Sequence, residues 1–410
     1  MNRKTVREIL NETDYIRTSG SAEEKKAADY LQGLCERMGV SALQESFDVD
    51  TAEILSASLA ADGREIPCRG YKLCGSGSVE APLCYLPNTD KASLLQAKGK
   101  IVLLDTGITY WVYQDLLDAG AVGFITYDGD VHYPDRDIDQ KMLRPYVSKG
   151  RKVPCANINA KDALRLVQSA PKTVSIRVEQ KESVSSSQNV VAEIPGRTDE
   201  WIVLSAHYDS TPLSRGAYDN MSGCIGLLGI MEALRGKAPL RYGLRFVFCG
   251  SEEVGLLGSK AYTAAHEEEL EKIALNINLD MIGTYMGKFI ACVSAENKLL
   301  HYIEYVCAQR GWGISARQDV YSSDSTPFAD HGVPALSFAR IAPRSQATIH
   351  NRYDTKTLLS EAQLISDTGF LADFTLGMAD AARCPVSREI PQEVLNKLDE
   401  YLLRTRKKDS

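Results

Sequence analysis

Three apolar, partly β-branched runs in the middle of the chain each lead into an acid or a histidine. Trp201–Ala206 leads to His207, Leu244–Cys249 to the pair Glu252 and Glu253, and Ile273–Leu279 to Asp280. Asp219 lies between the first two runs. It opens a stretch with apolar residues at helical spacing: Met221, Ile225, Leu228, Met231 and Leu234. Short buried runs alternating with helices predict an open α/β sheet with a parallel core. Ligands of such sheets bind beyond the carboxyl ends of the strands. The acids and the histidine all fall at that end, so the pattern predicts one convergent site.

The flanking sequence suggests how the chain is divided. Residues 22–39 read as an amphipathic helix with Ala28, Leu31, Leu34 and Met38 on one stripe, and ALQESFDVD alternates as a strand. From Lys98 a second α/β pattern begins: KGKIVLLDTG, a helix YWVYQDLLDAG, then AVGFITYDG, and later VPCANINAKDALRLVQSA. It carries no cluster of acids and histidines at strand ends. The serines at 185–187 read as a polar junction, after which QNVVAEIPG restarts strand structure. The resulting division is 1–50 with 185–385 as one discontinuous domain, 51–184 as an insertion, and 386–410 as a terminal helix and tail. The expected fold class is α/β: a mixed, largely parallel central sheet flanked by helices, with a smaller inserted α/β domain.

Composition narrows the function. A formal net charge of −7 argues against nonspecific nucleic-acid binding. No apolar run reaches the roughly 18 residues needed to span a bilayer, so no membrane partner is expected. The ten cysteines include no CxxC pair and several sit in apolar runs, which points to buried thiols in a reducing cytoplasm. Without thiolates, a divalent metal such as zinc would take imidazole and carboxylate ligands. His207, Asp219, Glu252, Glu253 and Asp280 supply them. The adjacent glutamates can divide two tasks, one binding metal and one moving a proton. Asp209, two residues beyond His207 on extended chain, lies on the same side and can accept its second N–H, fixing the tautomer.

The ensemble of motifs resembles the zinc aminopeptidases of the bacterial leucyl aminopeptidase type, a superfamily that includes glutamate carboxypeptidase and the glutaminyl cyclases. The resemblance rests on AHYDS at 206–210, YDNMSGC at 218–224, GSEEVGLLGS at 250–259, NLDMIG at 278–283, SDSTPF at 323–328 and IHNRYDT at 349–355, with RTSGSAEEKKAADYL at 17–31 similar to the opening helix. It implies the zinc exopeptidase fold and two zinc ions, with other divalent metals as alternatives. It further implies that His207 and Asp280 bind one ion, that Glu253 and His350 bind the other, and that Asp219 bridges through a cis peptide to Asn220. Glu252 becomes the general base and Asp209 orients His207. Only the resemblance brings in His350. Residues 98–183 resemble a protease-associated domain.

The expected activity is that of a dizinc aminopeptidase acting on the N-terminal bond of peptides. The alternatives are a carboxypeptidase or dipeptidase of the same fold, a single-zinc acyl transferase of the glutaminyl cyclase type, and a binding protein without metal. Arg340, Arg344 and Arg352 flank the site region and would suit a substrate carboxylate. Two positions depart from the family. Ile349 stands where many members place an oxyanion-stabilising tyrosine, leaving Tyr208, Tyr321 and Tyr353 as substitutes, and Ser325 stands where a histidine is common.

Overall fold

The apolar runs form strands of a mixed sheet in a computed structural model, which describes residues 1–105, 107–131, 138–237, 239–343 and 346–406. The chain divides into two units, Met1–Val49 with Ser186–Ser410, and Asp50–Ser185. It passes between them within two long strands, Ala42–Ala61 and Val174–Ile194. The serines at 185–187 therefore lie inside a continuous strand, contrary to the polar junction expected. Ser187 is fully buried there, which a run of small polar residues does not announce.

In the first unit the strands Ala335–Ile341, Ile273–Leu279, Trp201–His207 and Gly243–Cys249 lie side by side and parallel. Antiparallel neighbours flank them: Lys288–Ser294 on one side and the end of Val174–Ile194 on the other. Side chains alternate between two apolar layers, as the pleat requires. Ile202, Leu204 and Ala206 face a layer with Ile225, Leu228 and Phe374. Val203, Val247 and Cys249 face Tyr262, Phe328, Val394 and Leu398, the last two from the terminal helix Gln392–Tyr401.

The helix Ser222–Leu234 packs so closely against the sheet on one side and the helix Glu361–Ala379 on another that glycine is required at two positions. A Cβ on Gly223 would stand 2.4 Å from the carbonyl oxygen of Leu279, and one on Gly229 would stand 2.4 Å from Thr368 Cγ2. Among the elements outside the sequence-based assignment are the helix Arg3–Glu12 and the strand Lys288–Ser294. The helix buries only Val6, Ile9 and Leu10, a short stripe.

The second unit has its own five-stranded sheet. Leu83–Leu86, Ile101–Leu104, Gly123–Asp128 and Cys155–Asn159 run parallel, with Cys68–Gly70 antiparallel at one edge. Its core holds Val102, Leu104, Phe124, Ile158, Tyr113, Leu116 and Leu166. Acids do stand at its strand ends, Asp105 and Asp128, which the sequence pattern did not single out. All ten cysteines are unpaired. Among the described residues, no helix is long and apolar enough to cross a membrane.

Candidate metal centre

Parallel strands in register deliver their ends to one edge. His207 pairs with Cys249 across the ladder, and Ser205 with Asn278. His207, the turn 250–253 and Asp280 therefore emerge together. Asp219 arrives from a π-helical turn, Ala217–Met221, ahead of the helix Ser222–Leu234, and its peptide bond to Asn220 is cis. The Asn220 side chain fastens this turn to the sheet. Its Nδ2 donates to Leu279 O at 2.8 Å, and its Oδ1 accepts from the amides of Gly223 and Met281, both at 3.0 Å.

Asp219 turns one oxygen to each of two imidazoles. Oδ1 lies 3.1 Å from His207 Nε2, and Oδ2 lies 3.0 Å from His350 Nε2. His207 Nε2 is also 3.7 Å from Asp280 Oδ1, and His350 Nε2 is 3.1 Å from Glu253 Oε2. Two triads result, His207–Asp219–Asp280 and Asp219–Glu253–His350, and each can offer ligand atoms within 4.8 Å of one another. Tetrahedral zinc with bonds of about 2.0 Å spaces its ligand atoms about 3.3 Å apart. The spacings here bracket that value. Asp280 Oδ1 is buried without a hydrogen bond, as an atom with a metal partner would be. The donor set therefore fits two zinc ions sharing Asp219.

The electrostatics agree. Burial alone would lower the His207 imidazole, yet Glu252, Asp209, Asp219 and Asp280 together raise it well above its ordinary value. His350 is likewise raised, to about 11, by Asp219 and Glu253 against the effect of burial. Burial, and then the charge of Asp219, pushes the Glu253 carboxyl up to about 7. Crowded carboxylates that hold protons on nearby imidazoles form a site where a divalent cation can displace those protons.

Two residues approach the triads without joining them. Glu252 Oε2 is 3.9 Å from His207 Nε2, and burial raises its carboxyl well above the ordinary range. Asp209 is fully buried; its Oδ1 lies 3.3 Å from His207 Nδ1. The same carboxylate accepts from the amides of Glu252 at 2.9 Å and Glu253 at 3.1 Å. One acid thus holds the histidine and the glutamate turn in common.

Three supporting residues escaped the sequence reading. Asp354 accepts from the amides of Tyr218 at 2.8 Å and Asp219 at 3.1 Å. Arg17 is fully buried and donates to the carbonyls of Thr13, Tyr15, Tyr208, Arg215 and Gly216, fastening the loop between His207 and Asp219. Glu24, also fully buried, reaches the backbone of Ser251. Asp354 lies four residues beyond His350 within a recognised motif, whereas Arg17 and Glu24 act on segments about 200 residues away.

The remaining candidates separate clearly. Arg340 is engaged with Asp367 through two hydrogen bonds, Nε to Oδ2 at 2.8 Å and Nη2 to Oδ1 at 2.6 Å. Arg352 is exposed, and Arg344 lies outside the described residues. The Tyr208 hydroxyl is buried and donates to Gln188 O at 2.6 Å, and Tyr353 is 54% exposed. Burial raises the Tyr321 phenol, and Asp280 and Asp219 raise it further, so it lies within reach of the site's field. Ser325 Oγ is 2.7 Å from Ser337 Oγ. His266 is partly buried, with Nε2 2.9 Å from Glu45 and its ring stacked on Tyr262.

Residues 189–369 match the model of Peptidase family M28. The aminopeptidase YwaD of Bacillus subtilis (strain 168) is 28% identical over 350 residues, covering 80% of this chain and 73% of its own. Leucine aminopeptidase 2 of Arthroderma otae is 28% identical over 65% of this chain and 55% of its own, so the chain spans little more than half of that relative. Among solved structures, BSAP, a zinc aminopeptidase from Bacillus subtilis, superposes with a TM-score of 0.77 at 24% identity, over 95% of this chain and 99% of that one. The matched stretch contains both triads, so the similarity to peptidase family M28 covers the part of the chain that carries the candidate metal ligands.

Proposed function

We propose that this chain is a dizinc exopeptidase that removes the N-terminal residue of peptides. The observation that carries this reading is the division of the Asp219 carboxylate between two ligand triads. The names of the relatives, aminopeptidases in both cases, support the same reading. When bound, paired zinc ions acidify a water and polarise the scissile carbonyl.

The chain's own groups supply the remaining chemistry. Glu252, outside both triads, takes the proton from the attacking water. As the peptide C–N bond breaks, Glu252 passes that proton to the leaving amine. Asp209 keeps the His207 ring turned so that Nε2 faces the triad. The bidentate pairing of Arg340 with Asp367 favours the aminopeptidase over the carboxypeptidase reading, because it removes one of the arginines suited to a substrate carboxylate. We also propose that the unit Asp50–Ser185 is a protease-associated-like domain; its four parallel strands and its helices support this.

The test pairs metal analysis with substrates. Purified protein supplied with zinc should bind two ions per chain and hydrolyse a dipeptide with a free amine, while the N-acetylated dipeptide remains intact. Hydrolysis of the blocked peptide with release of its C-terminal residue would favour the carboxypeptidase. Cyclisation of an N-terminal glutaminyl peptide by protein holding one zinc would favour the acyl transferase.

A further inference from the structure

Glu24 sits at the third position of the helix Ala22–Arg37, whose N-cap Ser21 accepts from the Glu24 amide. A serine followed three residues later by a glutamate is an ordinary capping box, in which the acid returns to the backbone just before the helix. One Glu24 oxygen makes a shifted form of this contact: Oε2 accepts from the amide of Gly20, the residue before the N-cap, at 2.7 Å. Capping explains neither its complete burial nor its second oxygen. Oε1 accepts from the Ser251 amide at 2.8 Å and from Ser251 Oγ at 3.0 Å. Ser19 of the same segment adds a contact, with Oγ 2.6 Å from Ser251 Oγ.

Ser251 has a φ of 54°, in the left-handed region that disfavours serine. That conformation turns the chain out of the strand Gly243–Cys249 and sends Glu252 and Glu253 into the cluster. Its amide and the next two point at two buried carboxylates, Glu24 for Ser251 and Asp209 for Glu252 and Glu253. Asp209 is also held against His207. Glu24 touches no ligand, and the turn is what it acts on.

We propose that Glu24 is a positioning residue that fixes the left-handed turn at Ser251 and thereby aims both the base Glu252 and the ligand Glu253. The proposal rests on the peptidase reading above. What matters is the reach of an acceptor oxygen to Ser251, not the charge alone. Glu24→Gln keeps that reach and loses the charge, whereas Glu24→Asp keeps the charge and shortens the reach.

The experiment compares these two variants and Glu24→Ala with the parent chain, each loaded with zinc for kinetics on an aminoacyl p-nitroanilide and with cobalt for visible absorption. Glu24→Asp and Glu24→Ala should lose about 10–100-fold in kcat with KM changed less than about threefold, as small misplacements of reacting groups do. Their cobalt absorption envelope should shift as Glu253 is displaced. Glu24→Gln should stay within about fivefold of the parent in kcat, since its carbonyl still accepts from Ser251, and should keep the parent spectrum. If Glu24→Ala does not fold, the ordering of the other two decides. Glu24→Asp matching the parent while Glu24→Gln fails, or both matching it in rate and spectrum, would overturn the proposal. The peptidase reading fails separately, if the parent chain binds two cobalt ions yet hydrolyses no free-amine substrate; the spectra still judge Glu24. A parent chain that takes up no cobalt overturns both.

Discussion

Two sheets in this molecule have parallel strands that end in acids, and they treat those acids in opposite ways. In the second unit Asp105 is exposed and accepts from the Tyr127 hydroxyl. Asp128 receives Asn157 and lies 3.0 Å from Lys141 Nζ, which is also 3.4 Å from Asp139. A lysine of the chain itself thus pairs with Asp128. In the first unit Asp209, Asp219 and Asp280 are at most 5% exposed, and imidazoles are what meet Asp219. Imidazole is a weak, titratable partner and a good metal ligand. Strand ends alone therefore do not make a candidate metal centre; buried carboxylates gathered around histidine do.

The largest effect should come from the shared acid. Asp219→Ala should empty both metal positions and abolish hydrolysis, whereas His207→Ala should empty mainly one; zinc content measured by mass spectrometry decides. Equal single-site loss in both variants would contradict bridging. Glu252→Gln should keep both ions and lose about 10²–10⁴ in kcat, the usual contribution of a general base. Loss of zinc from this variant would make Glu252 a ligand instead.

These expectations depend on residues of unequal legibility. His207, Glu252, Glu253 and Asp280 were readable from sequence because a buried parallel strand is a short apolar run and the residues after it have a fixed place at the sheet edge, and Asp219 because it opens a stretch with apolar residues at helical spacing. His350 stands in an irregular segment with a φ of 61°, where no periodicity places a side chain, so only resemblance brought it in. Arg17 and Glu24 were invisible because a lone charge near a helix start is ordinarily a cap or a solvated group. Their partners at Gly216 and Ser251 become neighbours only in the folded chain. The unbroken strand Val174–Ile194 was missed because its serines carry no apolar signal.

The contrast between the two edges sharpens with smaller effects. Lys141→Met in the second unit should leave zinc content and kcat unchanged and cost at most about 1 kcal/mol, the range of partly exposed ion pairs. A change in zinc content would mean that this edge also serves the metal centre. The smallest effect concerns His266, whose imidazole is raised chiefly by its hydrogen bond to Glu45, against burial, with Glu269 adding to the rise and Arg245 opposing it. A raised folded value means the pair stabilises when the imidazole is charged. The stability gap between the parent and Glu45→Gln should be full below about pH 6.5, the unfolded value. It should fade as pH rises through the folded value, and stay under about 1 kcal/mol throughout. Urea unfolding at several pH values measures it, and a gap that widens toward alkaline pH would reverse the assignment.

The two triads that share Asp219 are completed at different points along the chain. The triad His207–Asp219–Asp280 lies within residues 207–280, whereas its companion waits for His350. A chain emerging from the ribosome therefore presents one complete set of donors well before the other. Domains fold as they are made, N-terminal segments first, and metal binding contributes to folding free energy. On the proposed dizinc reading, the first ion would be captured while the last helices are still untranslated, and uptake of the second would mark the arrival of the loop that carries His350.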